Sequence, residues 1–200
     1  ENNKDYNPTY RNYTKSQIVT YLSNPASYET QLRQMSQYLF NISNYYRRLI
    51  QYFASMSTFS YIVVPYGIDY SKNVNLQKFK KGYYAVTAQL EKMNLRHEFS
   101  RALMVAFRDD VYYGYAWETN DSYTFQQLDA DYCKISSIED GVYNFAFNFS
   151  YFDSHSERLP NFPPEFTTMY NAYKKDSGLK WQELPSENSI CLKVNEQTYV

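Results

Sequence analysis

Hydrophobic positions along this chain recur at two spacings, and the change from one to the other divides it. From Tyr28 through Leu32, Met35, Leu39, Ile42, Tyr46, Leu49, Phe53 and Met56 the apolar residues step by four and three, the period of one helix face. Asn24-Pro25 opens this run as a capping residue followed by proline at the first helical position. Asn41, Ser43 and Asn44 are its weak point, where a long helix would bend or divide. A short helix is expected from Ser16 to Leu22, after a polar, aperiodic arm from Glu1 to Lys15. Leu76, Phe79, Tyr83, Val86, Leu90 and Met93 repeat the three-four spacing on a further helix. Asn94 would cap the next, which runs to about Arg108 with Leu95, Phe99, Leu103 and Phe107 inward and ends at Asp109-Asp110.

The second half alternates instead. Tyr143, Phe145, Phe147, Phe149 and Tyr151 take every odd place between Val142 and Phe152, with Asn144, Ala146, Asn148 and Ser150 between them. A period of two is that of a strand, so the five rings share one face and the small polar groups the other. Glu139-Asp140-Gly141 is a turn signal, with Tyr132 to Ile138 as the partner strand. Val111 to Thr119 and Tyr123 to Leu128 flank Asn120-Asp121 as a second hairpin, so four strands follow one another. Thr58 to Pro65, β-branched and aromatic, reads as an earlier strand closed by Pro65 and Gly67. A helix from Pro163 covers Phe166, Met169, Tyr170 and Tyr173, and Ile190 to Val194 forms a last strand. The fold class is therefore α+β, with long N-terminal helices packed on a mainly antiparallel sheet of hairpins.

Two hundred residues bury enough surface, roughly 70% of the unfolded area, to need no disulfide or metal staple. Twenty basic against 21 acidic residues leave no excess of positive charge for gripping nucleic acid. Twenty-four tyrosines and 13 phenylalanines far exceed ordinary usage. A/T-rich coding accounts for much of this, and Tyr also suits surfaces that are wet in one state and buried in another. The most apolar run, Phe59 to Tyr66, is strand-length and far short of the ~20 residues of a membrane helix, so a soluble protein is expected. The chain opens on Glu1 rather than Met and without a basic-then-apolar leader, which predicts a trimmed chain or part of a longer one.

Catalytic signatures are scarce. No G-x-x-x-x-G-K-[ST], G-x-G-x-x-G or G-x-S-x-G occurs, and five glycines leave little for phosphate-cradling loops. His97-Glu98 lacks the second histidine of H-E-x-x-H, and Ser154-His155-Ser156 has adjacency in sequence but no triad pattern. Asp109, Asp110, Asp129, Asp131, Glu139 and Asp140 supply the carboxylates for a two-metal phosphotransfer or nuclease site, which is the alternative function. Each of them also has a structural reason to be there, at a helix end, a turn or before a strand. Arg47-Arg48, Lys78/Lys80/Lys81 and Lys174-Lys175 read as solvated helix faces. Cys133 and Cys191, in the strand-like contexts DYCKI and ICLKV, read as buried, reduced thiols. No residue is assigned to catalysis, to a cofactor or to a metal. A monomeric module recognising its partner through tyrosines is a third reading.

Leu128 to Asp153, LDADYCKISSIEDGVYNFAFNFSYFD, resembles the portal, or head-to-tail connector, proteins of tailed bacteriophages, in an L-x-x-D-Y-C-x-I strand, a D-G turn and an aromatic strand ending Y-F-D. The likeness extends to Asn24–Pro65, which is similar to the family's early helix, often broken in two, and the strand after it. It continues through Pro163–Tyr173, Trp181–Leu184 and Ser189–Glu196. The resemblance implies an arm and short helix over 1–23 and a portal wing-like α+β domain over 24–200, within a longer chain. It further implies a non-enzymatic structural subunit of the virion, assembled in the host cytoplasm into a ring, usually of twelve copies, at the capsid vertex. Its partners would be further copies of itself, the capsid protein, head-tail adaptors and, during packaging, the terminase. Double-stranded DNA would pass through the channel without sequence-specific binding, and the family's pore-lining stem, clip and crown lie beyond this sequence.

Overall fold

The structure is a computed structural model that describes residues 13–57, 59–66, 75–118, 123–139 and 141–194. Its helical half begins where Thr14 closes a capping box on α1 (Lys15–Ser23): Gln17 N donates to Thr14 Oγ1 at 3.3 Å, and Thr14 N donates to Gln17 Oε1 at 2.9 Å. Asn24-Pro25 does not start the long helix directly. Pro25–Ser27 is a 3-10 turn, Asn24 makes no side-chain cap, and α2 runs over Glu29–Ile42. Proline serves a 3-10 turn as well as an α-helix, since its first position needs no N–H in either.

The predicted break falls at Ser43. Its Oγ accepts from Tyr46 N at 3.2 Å and starts α3 (Asn44–Met56). Arg47 reaches back to the carbonyls of Phe40 and Asn41 at 2.9 and 2.6 Å, covering acceptors that the end of α2 leaves unpaired. Residues 59–66 form no strand, contrary to their composition, because no strand among the described residues offers them a ladder. Thr58 and Gly67 lie outside the described residues. Asn75 caps α4 (Leu76–Met93) through Lys78 N at 3.1 Å. Asn94 takes φ 47°, ψ 46°, so it ends α4 in a left-handed turn instead of capping α5 (Leu95–Asp109) with its side chain. The buried stripe of α5 is Ala102, Val105, Ala106 and Asp109. Leu95, Phe99, Leu103 and Phe107, expected inward, are half-buried on flanks, where Phe107 meets Phe53 at 6.2 Å and Phe99 meets Phe125 at 6.3 Å.

Asp110 turns the chain at φ 66° into β1 (Val111–Glu118), which pairs antiparallel with β2 (Tyr123–Gln127). A 3-10 turn over Ala130–Tyr132 then leads to β3 (Cys133–Glu139) and β4 (Val142–Asn148), again antiparallel. Both expected hairpins are present, but the four strands do not form one sheet. After α6 (Tyr151–Ser154) and α7 (Pro164–Lys175) come β5 (Trp181–Glu183) and β6 (Ser189–Lys193). The sheet orders are β2-β1-β6 and β3-β4-β5.

Strand β1 is the hinge of the architecture, because its two faces serve two cores. Val111, Tyr113 and Tyr115 join Phe145, Phe147, Phe149, Phe152 and Phe166 in the larger one, with Tyr113 and Phe145 centred 4.8 Å apart across the sheets. Tyr112 faces the other way, onto Ala102, Val105 and Ala106 of α5. Gly114 leaves room for that ring: a Cβ there would lie 2.6 Å from Tyr112 Cε1.

The aromatic strand is shorter than its alternation. It ends at Asn148, whose Oδ1 accepts from Ser150 N at 3.0 Å and Ser150 Oγ at 2.7 Å, so Phe149 lies in a turn and Tyr151 on α6. Nor is its polar face wet. Asn144 and Asn148 are 7% and 8% exposed, with Asn144 Nδ2 donating to Ser137 Oγ at 3.0 Å. The rings pack on α7, where Phe166 lies 5.7 Å from Phe147.

Candidate functional site

Of the carboxylates singled out in the sequence, Asp109, Asp129 and Asp131 line one cavity, and each of them, like Asp110, is held by partners of its own. Asp109, buried in the last turn of α5, accepts from Arg108 Nε and Nη2 at 2.7 and 2.8 Å and from Gln37 Nε2 at 3.1 Å. That pairing raises the Arg108 pKa, against the opposing effect of burial. Asp110 accepts from the buried Lys193 ammonium at 2.7 Å. Asp129 caps the turn before β3 by accepting from Asp131 N at 3.0 Å, and Asp131 pairs with Arg33. Glu139 projects into solvent at the tip of the β3–β4 hairpin, and Asp140 lies outside the described residues. Among the described residues no three His, Cys, Asp or Glu side chains gather as metal ligands would.

His97 is exposed, while Glu98 pairs with Arg101 at 2.8 Å. Ser154 and His155 do touch, Oγ to Nδ1 at 3.0 Å, because the end of α6 turns the two side chains together. The same Nδ1 lies 3.0 Å from the Tyr151 carbonyl, and the ring stacks on Tyr151 at 4.4 Å. A proton on Nδ1 donated to that carbonyl leaves no lone pair there to accept the serine proton. Cys133 and Cys191 are free thiols in half-buried residues, not fully buried ones. Burial pushes Cys133 well up and Cys191 up to about 12, which suppresses both thiolates. Of the basic clusters, Arg47 serves the end of α2 and Lys174 joins Asp153, with Tyr170 and Tyr173 donating to the same carboxylate.

Two features were not legible in the sequence. The first is a polar cavity of about 580 Å³ whose lining includes Arg33, Arg108, Arg158, Asp109, Asp129 and Asp131, contributed by four separated segments. Three cations face three anions there, and Arg33 Nε, in a side chain 10% exposed, has no hydrogen-bond partner among the described residues.

The second is an apolar surface that the described residues leave uncovered. The seam Leu76, Phe79, Tyr83, Val86, Leu90 and Met93 does lie on one face of α4, yet no residue of this 18-residue helix is buried. Val86 is 50% exposed, and the main packing contact of α4 is with β2. The unpaired segment 59–66 lies alongside. Val63, Val64 and Pro65 form with Phe79, Gly82, Tyr83 and Val86 a groove of about 520 Å³, with Lys78 in its lining. Tyr45, Leu49, Tyr52 and Met56, spaced four, three and four apart, add an exposed stripe along α3. Among the described residues no helix is long and apolar enough to cross a membrane. In comparisons with known proteins, the chain matches no family model, no curated protein and no solved structure.

Proposed function

We propose that this chain is the wing portion of a tailed-phage portal subunit, a structural part that assembles side by side into a ring, of twelve copies, at the capsid vertex. The observation that carries the reading is the uncovered seam of α4 with its groove, an apolar surface that a solitary domain would fold away. Supporting it are the segment-by-segment resemblance over Asn24 to Glu196 and the near balance of charge, which suits a wall that DNA passes without being gripped. The work of such a subunit is geometric: a contact between two different faces repeats by rotation until the ring shuts. The capsid protein and head-tail adaptors would dock on the closed ring, and the terminase would dock there during packaging.

Electron micrographs and mass photometry of the intact protein test this. Ring particles of many subunits, twelve in the expected case, support it. A clean monomer or two-fold dimer at micromolar concentration overturns it.

A further inference from the structure

The groove on α4 has a counterpart in shape and charge on the same chain. At the tip of the β3–β4 hairpin, Ile138 and Val142 are 52% and 55% exposed, and Glu139 stands exposed between them in sequence. The register pairs Glu139 with Val142 and Ile138 with Tyr143, so Val142 and Ile138 lie on opposite faces of the ribbon. The tip thus carries Val142 and Glu139 together on one face and Ile138 on the other, and Asp140 follows in sequence. The groove is the converse. Its walls are Val64, Phe79, Tyr83 and Val86, Lys78 lies in its lining, and Lys80 and Lys81 follow on the same end of α4. None of these three lysines has an acidic partner among the described residues.

We infer that the β3–β4 tip of one copy seats in the α4 groove of the next copy, with Glu139 beside Lys78. The inference deepens the portal reading and rests on it for the number of copies that assemble; the contact itself rests on complementarity. An apolar wedge into an apolar groove supplies the attraction, while the facing acid and base fix register and reject the reversed arrangement. Repeated in one direction from copy to copy, a contact between two different patches is heterologous, the kind that builds rings.

Paired cysteine variants of the intact protein decide the matter. Val86→Cys copies mixed with Val142→Cys copies under mild oxidant are expected to give a covalent pair at least tenfold above either variant alone and above the wild type with Cys133 and Cys191. Lys78→Glu or Glu139→Lys, both at exposed positions, should each cut that yield about tenfold, which corresponds to ~1.4 kcal/mol, and carrying both reversals should restore it. Linkage within Val86→Cys alone, or yields indifferent to charge reversal, overturns the contact. Ring particles without the mixed crosslink overturn it and leave the portal reading standing. Crosslinked pairs without rings sustain the contact and overturn the portal reading, and the absence of both removes both.

Discussion

Strand β4 and helix α4 carry apolar faces of equal regularity, and the molecule treats them in opposite ways. Phe145 and Phe147 on β4 are fully buried, with rings from α6 and α7 closed around them. On α4 the seam Leu76 to Met93 has one groove wall for company and no buried residue. A periodic apolar face states that cover is needed. Where the cover comes from is decided by topology, which here brings α6, α7 and β5 onto β4 but, among the described residues, only β2 and the 59–66 segment against α4.

Substitutions sharpen this contrast, beginning with the largest effect. Phe147→Ala should cost roughly 3–5 kcal/mol in denaturant unfolding, whereas Val86→Ala on α4 should fall within about 0.5 kcal/mol of the wild type. Comparable losses would mean that the seam is covered within the single chain. Asn148→Ala, on the opposite face of β4, should cost about 1–2 kcal/mol, since it removes the acceptor of two Ser150 hydrogen bonds. Gly114→Ala drives a methyl group into the buried Tyr112 ring and should cost about 1–3 kcal/mol, with Tyr112→Ala in the same chain relieving the clash.

A smaller, reversible loss is expected in alkali. Unfolded thiols ionise near pH ~8.5, while burial holds Cys191 neutral up to about 12 and displaces Cys133 in the same direction. The folded state therefore binds protons that the unfolded state releases, and the melting temperature should fall as pH rises from about 9 towards 12. Buried Tyr113 and Tyr115, also displaced upward, add to the decline. A flat profile over that range would place the thiols in water. The smallest effect has the opposite sign. Gly82 lies in α4 with open space around its Cβ position, so Gly82→Ala should stabilise the isolated chain by about 0.5–1 kcal/mol.

What the sequence disclosed follows the range of the interactions. The division of the long helix at Ser43, both hairpins and the helix from Pro164 rest on signals a few residues apart, and they were legible. The separation into two sheets was not, because it depends on β5 and β6 returning to β4 and β1 from far along the chain. The strand expected at Thr58–Pro65 failed for the same reason, since residues 59–66 have the composition but no strand to pair with among the described residues. That Asn144 and Asn148 are buried was not legible either, although their partners Ser137 and Ser150 lie close by in the chain, because burial depends on the elements packed over them. At the candidate surface the legible part was the seam itself; its exposure, and the groove made with Val63 to Pro65, required the fold.

The strand order also dictates a sequence of events during synthesis. Each hairpin can close on itself as soon as its own residues emerge, but β1 and β4 then stand with one edge unpaired. One late stretch, Trp181 to Lys193, supplies both missing neighbours: β5 docks on β4 with Leu184 N bonding the Phe145 carbonyl, and β6 docks on β1. Until that latch arrives, two aromatic half-sheets wait with open edges, and it is in this interval that the nascent chain is most exposed to pairing with the wrong partner.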